Sequence, residues 1–217
     1  MIRLDGKNEA EKGHMHYETM PFDNLINFLK GVIFQGNRLL ESPQSNNDDM
    51  LDLLKLEEEF FIFALERVKF YMSMLVGNPE IAYIFEQLND VVGHEAIKDI
   101  RDMRTHVDDY IYKGKKKKGN AQERFFITPE NMPENIPLFL KGKPISIDAT
   151  SSIKIGDWYL IGGRVDFFKT MDFLKEILPS VEKICKAEKM KIFQSHNNHS
   201  DIKEDCHASS SSQTISS

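Results

Sequence analysis

The sequence predicts a mainly α protein, a four-helix bundle with a small β-hairpin or β-arm inserted between helices three and four. Apolar residues recur at helical spacing through four long segments. Gly, Asn, Asp and Pro punctuate those segments where helices start and stop. Between the third and fourth segments the pattern switches to short β-favouring runs bounded by turn residues. The first three helices are joined by short connections, so consecutive helices are expected to pack antiparallel.

Residues 1–20 are polar and lack sustained periodicity, and are expected to form a flexible leader with room for a short helical turn over Asn8–Lys12. A single domain spanning 21–194 then starts near Pro21. Leu25, Leu29, Val32, Leu39 and their neighbours place helix one up to Ser42-Pro43, where Pro43 and the polar run behind it stop it. Asp48 or Asp49 caps helix two, whose apolar residues run from Leu51 to Leu75 and end at Gly77-Asn78-Pro79. Pro79 suits a helix start, and Ile81, Ile84, Leu88, Val92, Ile100, Met103 and Val107 carry helix three to Tyr112, with Gly93 as its one point of weakness.

The β-arm is expected at 122–165. Its strands are Arg124–Thr128, Pro144–Ile147, Ser152–Ile155 and Trp158–Ile161, with Gly156-Asp157 as a two-residue hairpin turn and Gly162-Gly163 closing the section. Pro129, Pro133 and Pro137 mark loops. Helix four starts near Asp166 and carries Phe167, Met171, Leu174, Val181 and Ile184 on its apolar side, with Pro179 expected to kink or split it. The Ser-, His- and Asn-rich stretch 195–217 is expected to be a disordered tail.

Composition narrows the function classes. With 217 residues, 41% hydrophobic residues and a net charge of -6, the chain is an ordinary globular protein and not a general nucleic-acid coat protein, so a nucleic-acid role needs a local basic patch. It has no run of roughly 18 apolar residues and its first residues are charged, which predicts a cytoplasmic protein without a membrane partner. Cys185 and Cys206 are the two cysteines, expected as free thiols. His196, His199, Cys206 and His207 match no closed zinc spacing, and Glu57-Glu58-Glu59 with Glu66 lack the paired Glu-x-x-His motifs of a di-metal bundle. No metal and no cofactor are therefore expected, and the glutamates are assigned to a solvated face. Phe60, Phe61, Phe63, Phe70 and Tyr71 fall mostly at core spacing.

The chemically pointed segment is Arg101-Asp102-Met103-Arg104-Thr105-His106 on helix three. Asp102 and His106 lie one helical turn apart on one stripe, whereas Arg101 is about 140° round from His106. Asp102 can orient the imidazole directly, while Arg101 must bend around the helix or meet the His106 of a second subunit. Histidine exchanges a proton near neutral pH, and a guanidinium holds phosphate in bidentate fashion. Such a set suits metal-independent cleavage of RNA, whose 2′-hydroxyl supplies the nucleophile. Arg104 and the lysines Lys115, Lys116, Lys117 and Lys118 just beyond the helix would hold an RNA backbone. The plain alternatives are a solvated lysine loop and an Arg and His that face water or pair with nearby aspartates.

An Arg followed by a polar residue, three further residues and a His, late on a long helix of a four-helix bundle, resembles the HEPN superfamily (higher eukaryotes and prokaryotes nucleotide-binding). The likeness covers 22–112 together with the last helix; the β-arm is not part of the family pattern. Many members are metal-independent endoribonucleases or RNA-binding modules, usually with the motifs of two protomers facing across a dimer cleft. The resemblance implies a homodimer, with RNA as ligand, Arg101 and His106 as the catalytic pair and Asp102 as the orienting position. The alternative function is a non-catalytic helical adaptor that engages a protein partner through the β-arm around Trp158 and Tyr159.

Overall fold

The computed structural model of the chain describes the backbone of residues 6–41, 48–106, 126–127, 147–148, 152–155 and 158–208, and the side chains of 16–41, 53–106, 152–154 and 158–196. Lys115 to Lys118, the loop after Ser42, the expected end of helix three at Tyr112, the three loop prolines and the turn pair 156–157 lie outside the described residues.

The chain is mainly α with a small antiparallel sheet, as expected. Five helices are described: α1 (Gly6–Glu41), α2 (Asp48–Met74), α3 (Pro79–Val92), α4 (Ala96–Thr105) and α5 (Phe167–Ala208). Four of them close a bundle in which α1 packs on α2 and α5, and α3 packs on the same two. Side-chain pairs give the directions. Asn24 Nδ2 donates to Tyr71 Oη at 3.2 Å while Gln35, further along α1, reaches Glu57, earlier on α2, so these helices are antiparallel. Asp23 and Lys30 of α1 pair with Lys189 and Glu182 of α5 in the same reversed sense.

The interior follows from the apolar spacing. Leu25, Leu29 and Val32 of α1 meet Phe61, Leu65, Val68 and Met72 of α2, Ile81 and Leu88 of α3, and Phe167, Leu174 and Val181 of α5, all fully buried. Cys185 is a buried free thiol, and desolvation pushes its pKa up to about 11, with a lesser contribution from the charge of Asp23. Among the described residues no helix is long and apolar enough to cross a membrane.

Local chemistry sets the helix ends. Asn78 Oδ1 accepts the N–H groups of Glu80 and Ile81 at 2.9 and 3.1 Å, with Pro79 in the first turn where its missing N–H costs nothing. Asp166 Oδ1 does the same at the start of α5, accepting the N–H of Lys169 at 3.1 Å.

Helix three of the sequence expectation is two helices. Gly93 takes φ 89°, ψ 136°, donates its N–H to Asn89 O at 2.8 Å and ends α3; α4 then starts at Ala96. Lys69 Nζ donates to the carbonyls of Gly93 and His94 at 3.1 and 3.0 Å, placing a cation on the free carbonyl end. Burial lowers the Lys69 pKa. A Cβ at Gly93 would also sit 3.2 Å from that of Ala96. Gly93→Ala is expected to destabilise by about 1–3 kcal/mol, because only glycine occupies this backbone region without strain. A urea midpoint that does not move would show that the break does not depend on this residue.

Both termini are more helical than their composition suggests. α1 begins at Gly6 and runs through Pro21, and α5 continues through Pro179 to Ala208, so neither proline ends its helix. The two extensions meet: His196 Nε2 lies 2.8 Å from Glu18 Oε2. Tertiary contact between them stabilises what neither segment's composition favours alone.

The strands are short. β1 (Phe126–Ile127) pairs with β2 (Ile147–Asp148), and β3 (Ile153–Ile155), β4 (Trp158–Ile161) and β5 (Val165–Asp166) form a separate antiparallel sheet. Ile155 faces Trp158, as a two-residue connection demands. β5 was not expected. Gly162 and Gly163, at φ 55° and 66°, turn the chain back onto β4 instead of closing the section. This sheet is not a free arm: Tyr159, Leu160, Ile161 and Val165 are buried, and β4 packs on α5.

Candidate functional site

α4 is a short amphipathic helix laid against α2. Ile97, Ile100 and Met103 turn inward, and Arg101, Asp102 and His106 are exposed on the other side. His106 lies just past the last helical residue, at φ -120°, ψ 37°, with its N–H donated to Asp102 O at 2.9 Å. The three expected catalytic residues are thus exposed over the second half of α4 and its C-terminal cap. Arg101 is held by an ion pair with Glu66 of α2, in which both side chains keep about a third or more of their surface in water. An ion pair this wet is worth about 0–1 kcal/mol, so an incoming phosphate can displace Glu66.

Arg104 behaves differently. Expected on an RNA-binding face, its side chain is only 8% exposed. Its guanidinium forks between two neighbouring glutamates, with Nη2 2.9 Å from Glu58 Oε2 and Nη1 2.7 Å from Glu59 Oε1. Glu58 also accepts from Ser152 Oγ at 2.7 Å and from Tyr159 Oη at 2.6 Å. A buried carboxylate therefore ties α2, α4 and the sheet together. The phenol pKa of Tyr159 is raised far above its ordinary value, first by burial and then by the charge and hydrogen bond of Glu58, which keeps it a donor. Glu57, also buried, accepts from Gln35 and Arg38 of α1.

Two expectations are corrected here. Glu57 and Glu58 do not belong to a solvated face: each sits where an α-helical neighbour or the sheet supplies a donor, and burial without those donors would be prohibitive. Tyr159 is not available to a protein partner, because its ring packs 5.0 Å from that of Phe167 in the core, leaving the half-buried Trp158. Sequence reasoning missed the Glu58 cluster because its members are distant along the chain. It also merged two stripes on α2. The apolar residues there run all round the helix, a sign that a second face seeks cover.

Among the described residues no three His, Cys, Asp or Glu side chains gather as a metal ion would need. Three cavities among the described residues lie away from α4. One, of about 420 Å³, opens between His16, Thr19 and Ile26 of α1 and Lys186, Met190 and Phe193 of α5. Two more flank α3 on the sides of Glu188 and Glu176. No family model, no curated protein and no solved structure matches this chain.

Proposed function

We propose that the chain is a HEPN-like, metal-independent endoribonuclease acting on single-stranded RNA. One observation carries this: Ile97, Ile100 and Met103 anchor α4 with Arg101, Asp102 and His106 turned to solvent. Had His106 been sealed in the bundle, no substrate could reach it.

In the proposed reaction the RNA 2′-oxygen bonds to phosphorus, the P–O5′ bond breaks, and a 2′,3′-cyclic phosphate and a 5′-hydroxyl result. One proton leaves the 2′-hydroxyl and one reaches O5′. His106 serves as general acid or base for one of these transfers. Arg101, exchanging Glu66 for phosphate, stabilises the charge that develops on the non-bridging oxygens. Asp102, one turn back on the same side, orients the imidazole. A chain with one such histidine is complemented by the His106 of a second copy, which supplies the other proton transfer.

The test is cleavage of end-labelled single-stranded RNA in EDTA by the wild type and by His106→Ala, with product ends identified. Cleavage by the wild type alone, leaving cyclic phosphate, is expected. Equal cleavage by both proteins, or none by the wild type across several RNAs, overturns the assignment.

A further inference from the structure

α2 carries a second apolar stripe that the bundle does not use. Leu53, Leu56, Phe60, Phe63, Phe70 and Met74 are each between 43% and 53% exposed. With Arg67 between Phe63 and Phe70 they follow one another at alternating steps of three and four residues. That spacing is the a/d seam of a two-helix coiled coil, and it runs straight along the helix for about 32 Å. The first face of α2, with Phe61, Leu65, Val68 and Met72, is already buried against the bundle.

We infer that this stripe is the interface between two copies of the chain, which pack α2 against α2 in antiparallel fashion. Three properties select a second copy as the occupant. The first is area. At about half exposure each stripe side chain offers on the order of 100 Å². Two copies therefore bury about 1,200 Å², above the roughly 1,000 Å² that a specific interface needs. The second is self-complementarity. With the two-fold axis beside Leu65, antiparallel a-to-d pairing sets Phe60 against the partner's Phe70 and Met74 against the partner's Leu56.

The third property is charge. Arg67 is the one ion on the seam, and its guanidinium already lies 5.1 Å from the centroid of the Phe63 ring and 5.9 Å from that of Phe70. In the antiparallel register it meets the partner's Phe63, another aromatic face. In a parallel pairing it would meet the same arginine of the other copy, which like-charge repulsion opposes.

The seam has a consequence for α4. Glu59 and Glu66, which flank the stripe on one side, hold Arg104 and Arg101. Antiparallel packing places like flank beside like flank, so both α4 helices stand on the same side of the dimer. The interface itself does not depend on the nuclease assignment, since its test reads mass and not cleavage.

Sedimentation of the full chain is expected to give twice the chain mass for the wild type. Phe63→Glu is expected to weaken association by at least about thirty-fold with unchanged helical circular dichroism. A wild type of single-chain mass overturns the inference and leaves the stripe to another part of the chain or another protein. A Phe63→Glu protein that stays dimeric overturns it equally. Register is read by copper–phenanthroline oxidation in a Cys206→Ser background. A mixture of Phe60→Cys and Phe70→Cys chains is expected to cross-link one to the other, with neither variant cross-linking alone. Disulfide dimers of Phe60→Cys by itself overturn the antiparallel register.

Discussion

Glu58→Ala is expected to cost about 3–5 kcal/mol of folding stability, the largest effect of any single polar substitution among the described residues. The carboxylate is almost fully buried and accepts from Arg104, Ser152 and Tyr159. Its removal leaves the 8%-exposed Arg104 guanidinium with Glu59 but without its buried partner, and strands a buried phenol donor. The loss falls where α2, α4 and the sheet meet, so these elements should loosen together. Urea unfolding followed by circular dichroism measures it, and Tyr159→Phe, which removes one hydrogen bond to a charged group, should cost about 1.5–3 kcal/mol. Glu66→Ala, which breaks the wet pair with Arg101, should change stability by less than about 1 kcal/mol. If Glu58→Ala and Glu66→Ala proved equally mild, the cluster would be no more than a surface ion pair.

His106→Ala is expected to reduce RNA cleavage by about 10²–10⁴-fold, the usual worth of a positioned general acid or base. The same substitution should leave the urea midpoint within about 0.5 kcal/mol of the wild type, because His106 is exposed at the end of α4. Loss of rate without loss of fold is the signature of a chemical role. Arg101→Lys should fail to restore the rate lost in Arg101→Ala, since an ammonium cannot offer the paired donors of a guanidinium. Rates of His106→Ala within a few-fold of wild type would remove this histidine from the mechanism.

The parts of the fold that were legible in the sequence are those whose cause is local. Pro79 announced the start of α3 because a proline without an N–H suits the first turn, and the structure adds the Asn78 cap in front of it. α5 likewise starts beside Asp166, where its apolar spacing begins, and the structure shows that residue capping it. Gly93 marked the weak point of the third helical segment, and the structure turns that weakness into a break. The segment from Arg101 to His106 falls on a helix because Ile100 and Met103 continue the helical spacing, whereas the exposure of its polar residues is a finding of the structure.

Other features depend on groups far apart in the chain. The triplet Glu57-Glu58-Glu59 reads as solvated charge, and only the approach of Arg104, Ser152 and Tyr159 from other elements makes burial of Glu58 tolerable. Gly162-Gly163 permits a turn, but whether the chain returns as β5 depends on the packing of Val165 against the core. The helical ends of α1 and α5 lean on each other through Glu18 and His196, a contact that the composition of either segment does not foretell.

By itself, then, the sequence determined the mainly helical class, the ends of α1 and α2, the starts of α2, α3 and α5, and the residue types at the end of α4, because glycine and proline breaks and apolar periodicity act within a few residues. Only the tertiary structure decided which charges are buried, that Arg104 is a strut while Arg101 and His106 face solvent, and which of the two apolar stripes on α2 the bundle consumes. Burial is a property of the surfaces that meet. Two apolar stripes on one helix are told apart by the neighbours that arrive to cover one and leave the other exposed.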